Sequence, residues 1–313
     1  MAGIVAQLLH AALVVAVAPL LLGLARWLKA RMLGRAGPPP WQPVLALAKL
    51  VRKRPVLAEG SSAVTRVAPY VAVVALFAAA LLVPSFARGM ALAPLSDLLL
   101  IGALLALARA AQVLAGLDAG TAFGGLGAAR EASFAALAEP AFLVAVLVIA
   151  MLAGGTNLEA ASAALQEGSL GLRVSLALVL VALVAVALAE NARIPVDNPA
   201  THLELTMVHE AMILEASGRH LALWEAAAAL KLLVWLSLLL ALFAPFGTAG
   251  SLLGWPGAAL LWAGKLALLV LALSAFENAI AKMRVFRVPE FLGAALLLAL
   301  VGAVLLFVSG VLA

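Results

Sequence analysis

Long apolar runs recur along the whole chain and constrain its fold more than any other feature. Each run approaches or exceeds the ~18 to 20 apolar residues that a helix needs to cross a bilayer. Leucine and alanine dominate the runs, and the period-two alternation of a barrel strand is absent, so the runs predict helices. The sequence therefore predicts an all-α polytopic membrane protein, one integral membrane domain over residues 1–313, with eight spans at about 3–26, 67–87, 95–116, 135–154, 172–190, 222–245, 257–281 and 290–312.

The composition supports the same class of protein. Of the 313 residues, 66% are hydrophobic and 11% are charged, whereas soluble domains are about a quarter charged. The first apolar run has no basic region before it and is longer than a signal-peptide core, so it predicts a retained helix. The chain has no cysteine, and therefore no thiolate ligand for an iron–sulfur cluster or a structural zinc. We expect no cofactor in this chain.

Basic residues concentrate in alternate connections between the spans. Fifteen of them lie in connections one, three, five and seven, whereas connections two, four and six hold only Arg88 and Arg173. The positive-inside rule places the odd connections in the cytoplasm and both termini on the outer side of the cell's inner membrane. The formal charge of +5 thus reflects loop chemistry. It does not indicate nucleic-acid binding, because the basic residues are not interleaved with aromatic ones.

The first connection contains a short amphipathic segment. The sequence RAGPPP at 35–40 breaks regular structure. The following WQPVLALAKLVRK places Trp41, Leu45, Ala48 and Val51 at helical spacing beside basic residues. This pattern predicts a short interfacial helix whose basic face meets lipid headgroups. A solvated connector is the alternative.

The stretch from Ala189 to Gly218 gathers ionisable residues between two apolar runs. It holds five of the fifteen acidic residues in about a tenth of the chain. Burying charge in hydrocarbon is costly, so ionisable groups at the end of a membrane segment predict a functional site. A solvated cytoplasmic loop is the alternative. The candidate ion-pathway and coupling-loop residues are Glu190, Arg193, Asp197, Glu204, His209, Glu210 and Glu215, together with Arg130 and Glu139.

This stretch does not match a known metal or nucleotide motif. The dipeptide HE at 209–210 resembles the start of a zinc-protease motif, but Ile213 occupies the position of the second histidine. His202 and His209 are seven residues apart, about 10 Å along a helix, which is too far for one metal ion. We expect a short helix from Glu204 to Glu215 whose acids surround a polar cleft or meet a basic partner protein. The histidines are expected at the surface or in proton transfer.

Two local arrangements suggest how such a site would work. Glu139 and Pro140 begin the predicted fourth span; helix capping would explain them, but their position beside a polar segment favours a buried polar path. Arg193 lies three residues after Glu190 and four before Asp197, so we expect it to hold either acid ionised. If the carboxylates converge, their repulsion and partial burial favour uptake of a proton.

Five further charges fall inside predicted spans. Arg109, Lys231 and Lys265 lie too deep for easy snorkelling, so we expect each to have an internal partner or to face a polar cavity. Glu225 and Glu277 lie near span ends. Anchoring by water or headgroups is the simpler expectation for these two acids.

The coupling-loop sequence is similar to one protein family. AENARIPVDNP at 189–199 resembles the signature loop of the complex I membrane subunit called NADH dehydrogenase subunit 1. EASG at 215–218 resembles that family's EYSG, and GRAGPPPWQP followed by LAKL resembles its first-connection pattern. Arg130 and Glu139 keep the family's nine-residue spacing. The resemblance covers nearly the whole chain and implies eight spans with both termini outside. The matching loop positions are Ala189, Glu190, Arg193, Pro195, Asp197 and Pro199.

Departures from that pattern indicate a subfamily. Ala200 and His202 stand where complex I subunits usually have acids, and Ala46 stands where they have an aspartate. The segment NPATHLELTMVHEAMILE is more similar to the membrane subunit of formate hydrogenlyase and related energy-converting group 4 NiFe hydrogenases. That resemblance implies a non-catalytic, membrane-anchoring subunit with an ion pathway. Electron transfer in a peripheral arm would be coupled through it to H⁺ or Na⁺ translocation.

The resemblance also implies partners and leaves alternatives. The expected partners are the hydrogenase large and small (iron–sulfur) subunits, antiporter-like membrane subunits and the lipid bilayer. Iron–sulfur clusters and a NiFe centre are expected in those partner subunits. One alternative is a quinone-site subunit of a complex I-type NADH:quinone oxidoreductase. Another is a secondary ion transporter, but the internal repeat typical of that class is not evident.

Overall fold

The computed structural model describes residues 1–167, 174–197 and 207–311. These ranges fold into α-helices, with no β-strand among them, which confirms the predicted fold class. The helices are α1 Ala2–Met32, α2 Gln42–Val51, α3 Ala63–Leu82, α4 Leu98–Asp118, α5 Ala122–Ala153, α6 Leu158–Glu167, α7 Val174–Glu190, α8 His209–Ile213, α9 Gly218–Phe243, α10 Trp255–Ala279 and α11 Val288–Val311.

Seven helices in the described ranges are long and apolar enough to cross a membrane: α1, α3, α4, α5, α9, α10 and α11. Helix α7 has 17 residues and is also strongly apolar. A length of ~17 residues is at the lower end of what spans a bilayer. Helix α7 coincides with the predicted span 172–190, whose first two residues lie outside the described ranges. The chain is a multi-pass membrane protein.

Helix α9 lies at the centre of the bundle. Of its most apolar 18-residue stretch 78% is buried, against 22% to 44% in the other six long helices. Helices α1, α2 and α3 pack against α9, whereas α10 packs mainly along α1, and α11 packs against α5 and α7. Lipid is as apolar as a leucine side chain, so such helices associate through close packing. The buried faces of α3 and α5 are accordingly rich in alanine.

Helix α5 is longer than the predicted span 135–154. It begins at Ala122, where the Thr121 hydroxyl oxygen accepts a hydrogen bond from the Gly124 backbone N–H at 3.2 Å. Such a bond satisfies one of the free N–H groups at the start of a helix. The predicted third connection is therefore mostly helical. Glu139 lies in the interior of α5, so it does not cap the start of a helix.

Glycines explain this extension of α5. A Cβ atom added to Gly124 would lie 2.3 Å from the Gly116 carbonyl oxygen, and one added to Gly127 would lie 2.7 Å from the Val208 carbonyl oxygen. These close approaches let α5 pack against α4 and against the segment before α8. Glycine disfavours a helix by intrinsic propensity. Tertiary packing outweighs that preference here.

Two shorter predictions fall partly in the described ranges. Helix α2 confirms the predicted short helix in the first connection, and the side chains of Trp41, Leu45 and Val51 are exposed along it. The helix predicted over Glu204–Glu215 corresponds to α8, which covers only His209–Ile213. Residues 198–206, which include Ala200, His202 and Glu204, lie outside the described ranges.

Gly23 of α1 offers a test of the packing between α1 and α2. A Cβ atom on Gly23 would lie 1.8 Å from the Pro40 carbonyl oxygen, so Gly23→Ala must displace α2. We expect a lower midpoint of thermal unfolding in detergent, equivalent to about 1–3 kcal/mol of overpacking strain.

Gly264→Ala on α10 is the matched control, because no atom lies within 4 Å of its added Cβ. Alanine is also the better helix former. The midpoint of Gly264→Ala should equal or exceed that of the wild type. Identical midpoints for the two variants would contradict the close contact between α1 and α2.

Candidate ion pathway and coupling loop

Arg109 lies in the middle of α4 and holds two carboxylates. Its guanidinium donates hydrogen bonds to Glu190, at the end of α7, and to Glu139, in α5. The side chains of Arg109 and Glu190 are 7% and 5% exposed, whereas that of Glu139 is 49% exposed. The structure thus brings together three charges that the sequence places on three different helices.

Lys231 of α9 approaches Glu190 from a second direction. Its Nζ lies 3.6 Å from Glu190 Oε2, and it donates a hydrogen bond to the Glu190 carbonyl oxygen at 2.8 Å. Helix α7 ends at Glu190, and a cation is favourable at the C-terminal end of a helix. The Glu190 carboxylate therefore lies between two cations, one from α4 and one from α9.

Glu131 of α5 is a buried acid that the sequence analysis did not select. Its Oε2 lies 3.8 Å from His209 Nδ1, which is too long for a hydrogen bond. Burial lowers the pKa of His209 well below its usual range, and the positive charges of Lys231 and Arg109 lower it further. The imidazole of His209 is therefore neutral at neutral pH. Glu131 precedes Glu139 by eight residues. Because α5 begins at Ala122, both residues belong to one helix, and this spacing places them on the same side of it.

We call Arg109, Glu131, Glu139, Glu190, Lys231 and His209 the central cluster. It contains three carboxylates and two cationic side chains. With every carboxylate ionised, the cluster would hold one uncompensated negative charge in a largely buried site, which is costly. Uptake of one proton by the cluster would remove that charge.

A second group of charges links the segment after α7 to α1 and α10. The Glu277 carboxylate is fully buried and lies 3.0 Å from Lys29 Nζ and 3.6 Å from Arg193 Nη1. Lys282 Nζ donates a hydrogen bond to Asp197 Oδ1 at 2.6 Å. We call these five residues the loop cluster. They fasten the described start of the coupling loop to α1 and to the end of α10.

These ion pairs correct two expectations. Arg193 pairs with Glu277 instead of holding Glu190 or Asp197, because those acids have other cationic partners. Glu277 is buried in an ionic contact and is not anchored by water or headgroups. Its position near the end of α10 suggested exposure, but α1 and the turn after α7 cover it.

The turn after α7 explains the direction that Arg193 takes. Its backbone N–H donates to the Leu188 carbonyl oxygen at 2.9 Å, and the Ala192 N–H donates to the Ala189 carbonyl oxygen at 3.0 Å. This pair of bonds defines a Schellman motif, in which the residue at C′ is left-handed. Ala192 occupies that position with φ 49°. The motif ends α7 and directs the chain toward α10.

The remaining predicted site residues belong to neither cluster. The Arg130 guanidinium donates to the Met207 carbonyl oxygen at 2.8 Å, which ties α5 to the segment before α8. Glu210 is partly buried beside the central cluster, whereas Glu215 is exposed. Glu204 lies outside the described ranges.

The other intramembrane charges have simpler partners. Lys265 Nζ donates to the backbone carbonyl oxygens of Ala244 and Phe246, each at 2.9 Å, just beyond the end of α9. Lys265 is therefore an internal cap for α9 and takes no part in the central cluster. Glu225 is half-buried and lies 3.8 Å from Arg26.

A chamber of about 520 Å³ lies between the two clusters. His209 and Lys231 of the central cluster line one part of it, and Lys29 and Arg193 of the loop cluster line another. Of the three acids expected to surround a polar cleft, Glu210 borders the chamber, Glu215 is exposed elsewhere and Glu204 lies outside the described ranges. A displacement of the loop cluster would therefore alter the charge that faces the central cluster.

The EASG motif fastens the first connection to the start of α9. Ser217 Oγ accepts a hydrogen bond from the Val56 N–H at 2.7 Å and donates one to the Val56 carbonyl oxygen at 3.0 Å. Gly218 has φ 53°, and a Cβ there would lie 2.5 Å from the Arg54 carbonyl oxygen. Glycine fits this position on both counts. Serine and glycine in this motif thus have structural roles.

The described residues offer no metal centre. Within residues 1–167, 174–197 and 207–311, no group of three or more His, Cys, Asp or Glu side chains could hold a metal ion. The carboxylates of the central cluster face arginine and lysine. The chemistry available to this site is proton transfer and charge compensation.

A bundle of apolar helices around a mixed-charge interior defines a polytopic membrane protein with an internal polar site. The family model described as NADH dehydrogenase matches residues 4–308. The chain belongs to this family, that of the subunit 1-like membrane proteins of complex I. The family resemblance seen in the sequence is confirmed.

Two curated relatives place the chain more narrowly within the family. Hydrogenase-4 component C of Escherichia coli (strain K12) is 34% identical over 249 residues, which are 80% of this chain and 78% of the relative. Formate hydrogenlyase subunit 4 of the same strain is 33% identical over 288 residues, 90% of this chain and 92% of the relative. These relatives confirm the predicted subfamily.

A solved structure shares the fold. It is that of the membrane-bound sulfane sulfur reductase, an archaeal respiratory membrane complex. One of its chains matches with a TM-score of 0.82 and 20% identity, covering 96% of this chain and 99% of that one. At this identity the match establishes the architecture of the helices and nothing about the reaction.

Arg109→Met tests the central cluster. It removes the cation between Glu139 and Glu190, and loss of one partner from a buried ion pair costs about 3–5 kcal/mol. We expect a clear fall in the unfolding midpoint in detergent. The double variant Arg109→Met/Glu139→Met should be more stable than the single one, because it keeps the Glu190–Lys231 pair and removes the stranded acid. The exposed Arg66, changed to methionine, is the control. A midpoint for Arg109→Met equal to that control would contradict the pairing.

Proposed function

We propose that this chain is the membrane-anchoring, ion-pathway subunit of a formate hydrogenlyase-like or other energy-converting NiFe hydrogenase complex. The observation that carries the proposal is the central cluster inside the membrane bundle, where Arg109 contacts Glu139 and Glu190, Lys231 contacts Glu190, and Glu131 lies beside His209. Ionisable side chains in membrane segments are costly, and their usual role is in ion or proton pathways. The two relatives, whose names are those of hydrogenase and formate hydrogenlyase components, support the type of complex.

The proposed entry to the pathway is the chamber. His209 borders the chamber and lies 3.8 Å from Glu131. A neutral imidazole has one donor and one acceptor nitrogen, so it can pass a proton without holding a charge. In this proposal His209 transfers a proton from the chamber to Glu131.

Arg109 is proposed to connect the inner and lateral parts of the pathway. It contacts both Glu190 and Glu139, so it can stabilise either carboxylate while the other one holds the proton. Glu139 is half-exposed and lines a lateral cavity of about 260 Å³ with Arg109 and Glu190. In this proposal the proton leaves through that cavity toward neighbouring membrane subunits of the antiporter-like type.

The loop cluster is proposed to couple the pathway to electron transfer. The redox arm would dock on the cytoplasmic connections, which include the coupling loop. A shift of Arg193 or Asp197 would loosen the contacts with Glu277 and Lys282. The positive charge facing the chamber would then change, and the proton affinity of the central cluster would change with it. We propose H⁺ as the translocated ion, with Na⁺ the alternative.

The membrane orientation and the cofactors belong to the same proposal. The concentration of basic residues in alternate connections supports a cytoplasmic position for the coupling loop and an outer position for both termini. The membrane is proposed to be the cell's inner membrane. The iron–sulfur clusters and the NiFe centre are proposed to lie in the small and large partner subunits, because this chain has no cysteine.

A quinone-site subunit is the second candidate. The specific observation in its favour is the chamber, whose walls include Leu76, Trp224 and Leu232. A quinone would need such an apolar cavity near the redox arm. The identity of the two relatives favours the hydrogenase assignment over this one.

Glutamine variants test the proposed pathway. Glu139→Gln and Glu190→Gln each remove a group that can release a proton, while preserving side-chain size. We expect the complex to assemble and ion uptake coupled to hydrogen turnover to fall by about tenfold or more, as when a group for proton transfer is lost. Turnover and uptake are measured in vesicles that hold equal amounts of assembled complex.

Glu290→Gln is the control for these variants. Glu290 is exposed in the first turn of α11 and lies outside both clusters. Its uptake rate should match that of the wild type. If both pathway variants also retained wild-type uptake, Glu139 and Glu190 would be structural charges only.

Purification tests the proposed assembly. The tagged full chain should copurify with a small iron–sulfur subunit and a large NiFe subunit, and the complex should evolve or consume hydrogen without added quinone. Recovery of an active single-chain transporter would contradict the assembly. Hydrogen turnover that strictly requires quinone would favour the second candidate.

A further inference from the structure

The chamber adjoins a smaller cavity beneath α2. A second cavity of about 100 Å³ lies between α1, α2 and α9. It shares Leu22, Arg26 and Glu225 with the chamber, so the two cavities adjoin at these side chains. The closest ion-pair atoms of Arg26 and Glu225 are 3.8 Å apart, and the two side chains are 51% and 35% exposed. This contact is loose and partly hydrated, unlike those of the central cluster.

The chamber combines an apolar wall with a surplus of cations. Leu22, Leu76, Trp224 and Leu232 supply large apolar surfaces. Five basic side chains line it against two carboxylates, and two further carboxylates lie behind the lining, Glu277 beside Lys29 and Arg193, and Glu190 beside Lys231. The lining side chains are Arg26, Lys29, Arg35, Arg193 and Lys231 on the basic side, and Glu210 and Glu225 on the acidic side.

Arg35 is the cation with least compensation. It is exposed at the mouth of the chamber, in the segment that follows α1. Within the part of the chain that the structure describes, Arg35 makes no ion pair. Arg26 also lines the chamber, and among the described residues its one ion pair is the long contact with Glu225. Both guanidinium groups are therefore available to an incoming anion.

We propose that the chamber binds an anionic amphiphile drawn from the bilayer. Its phosphate or carboxylate headgroup lies between Arg35 and Arg26, and its hydrocarbon chain lies on the apolar wall. Guanidinium groups bind such anions with paired hydrogen bonds. The ligand enters beneath α2, and Arg26 exchanges its loose contact with Glu225 for the headgroup. This inference depends on the lining of the chamber and is independent of the proposed redox role.

An anionic amphiphile matches both the apolar wall and the surplus positive charge of the chamber, whereas other ligand classes match only one of them. A free phosphate ion would satisfy the cations, but it would leave the apolar part of a chamber of about 520 Å³ filled with water. A neutral lipid or a quinone would cover the apolar wall without offsetting the surplus positive charge. Trp41, Val44 and Leu45, in and just before the start of the neighbouring α2, have exposed side chains that form an apolar surface. That surface suits contact with lipid.

Native mass spectrometry of the purified full chain tests the proposal. The protein in detergent is titrated separately with phosphatidylglycerol, oleate, phosphatidylcholine, a short-chain quinone and inorganic phosphate. We expect tight binding of one phosphatidylglycerol or oleate molecule and weaker binding of the other three probes. The first two probes distinguish a phosphate headgroup from a carboxylate one.

Two single variants should change the affinity for the anionic probe in opposite directions, and a third is the control. Arg35→Gln should weaken binding of the anionic probe about fivefold, the usual effect of one basic residue near a charged lipid. Glu225→Gln should strengthen binding, because it releases Arg26. Arg66→Gln, on the exposed start of α3, should leave binding unchanged. Arg35 is exposed and makes no ion pair within the described residues, so its replacement is compatible with folding.

Three results would overturn the proposal. The first is equal retention of phosphatidylcholine or quinone and the anionic probe by the wild type. The second is an unchanged affinity for the anionic probe in both Arg35→Gln and Glu225→Gln. Tight binding of inorganic phosphate alone would also contradict it, since that result assigns the cations to a soluble anion.

Discussion

The contact on which the rest of the structure depends is the Glu190 carboxylate between Arg109 and Lys231. It joins α4, α7 and α9 at the centre of the bundle, where each charge alone would be costly. The same lysine satisfies the end of α7 through the Glu190 carbonyl oxygen. Lys231 of the central helix α9 thus both pairs with the Glu190 carboxylate and caps the end of α7. Because Arg109 also reaches Glu139, this structural contact doubles as the middle of a candidate proton path.

The loop cluster connects that interior to the segment that follows α7. Glu277 lies against two cations that line the chamber, Lys29 and Arg193, and the chamber separates the loop cluster from His209 and Lys231. Movement of the coupling loop would therefore change the electric field at the central cluster. No helix would need to move. Charges in a partly dry interior interact far more strongly than the same charges in water. This gives the proposed coupling a physical route that matches the geometry.

Much of the fold follows from sequence, and the exceptions have physical causes. Apolar run length predicts the spans, and the spacing of Trp41, Leu45 and Val51 predicts α2. The early start of α5 escapes prediction because Gly124 and Gly127 act through tertiary packing. The partners of Arg193 and Glu277 were not predicted. The sequence spacing favoured a contact of Arg193 with Glu190 or Asp197, but the turn at Ala192 directs Arg193 toward Glu277. Glu131 was missed for the same reason as the start of α5. The sequence analysis placed it in a connection, where helical spacing does not relate it to Glu139.

Infrared difference spectroscopy of the intact complex tests the central claim most directly. The claim is that the central cluster holds one exchangeable proton on its carboxylates. The hydrogen-reduced minus oxidised spectrum should contain a carbonyl band of a protonated carboxylic acid that shifts in D₂O. The band should be altered in Glu131→Gln and retained in Glu290→Gln. A spectrum without a deuterium-sensitive carboxylic band, or with one that Glu131→Gln leaves unchanged, would contradict the claim.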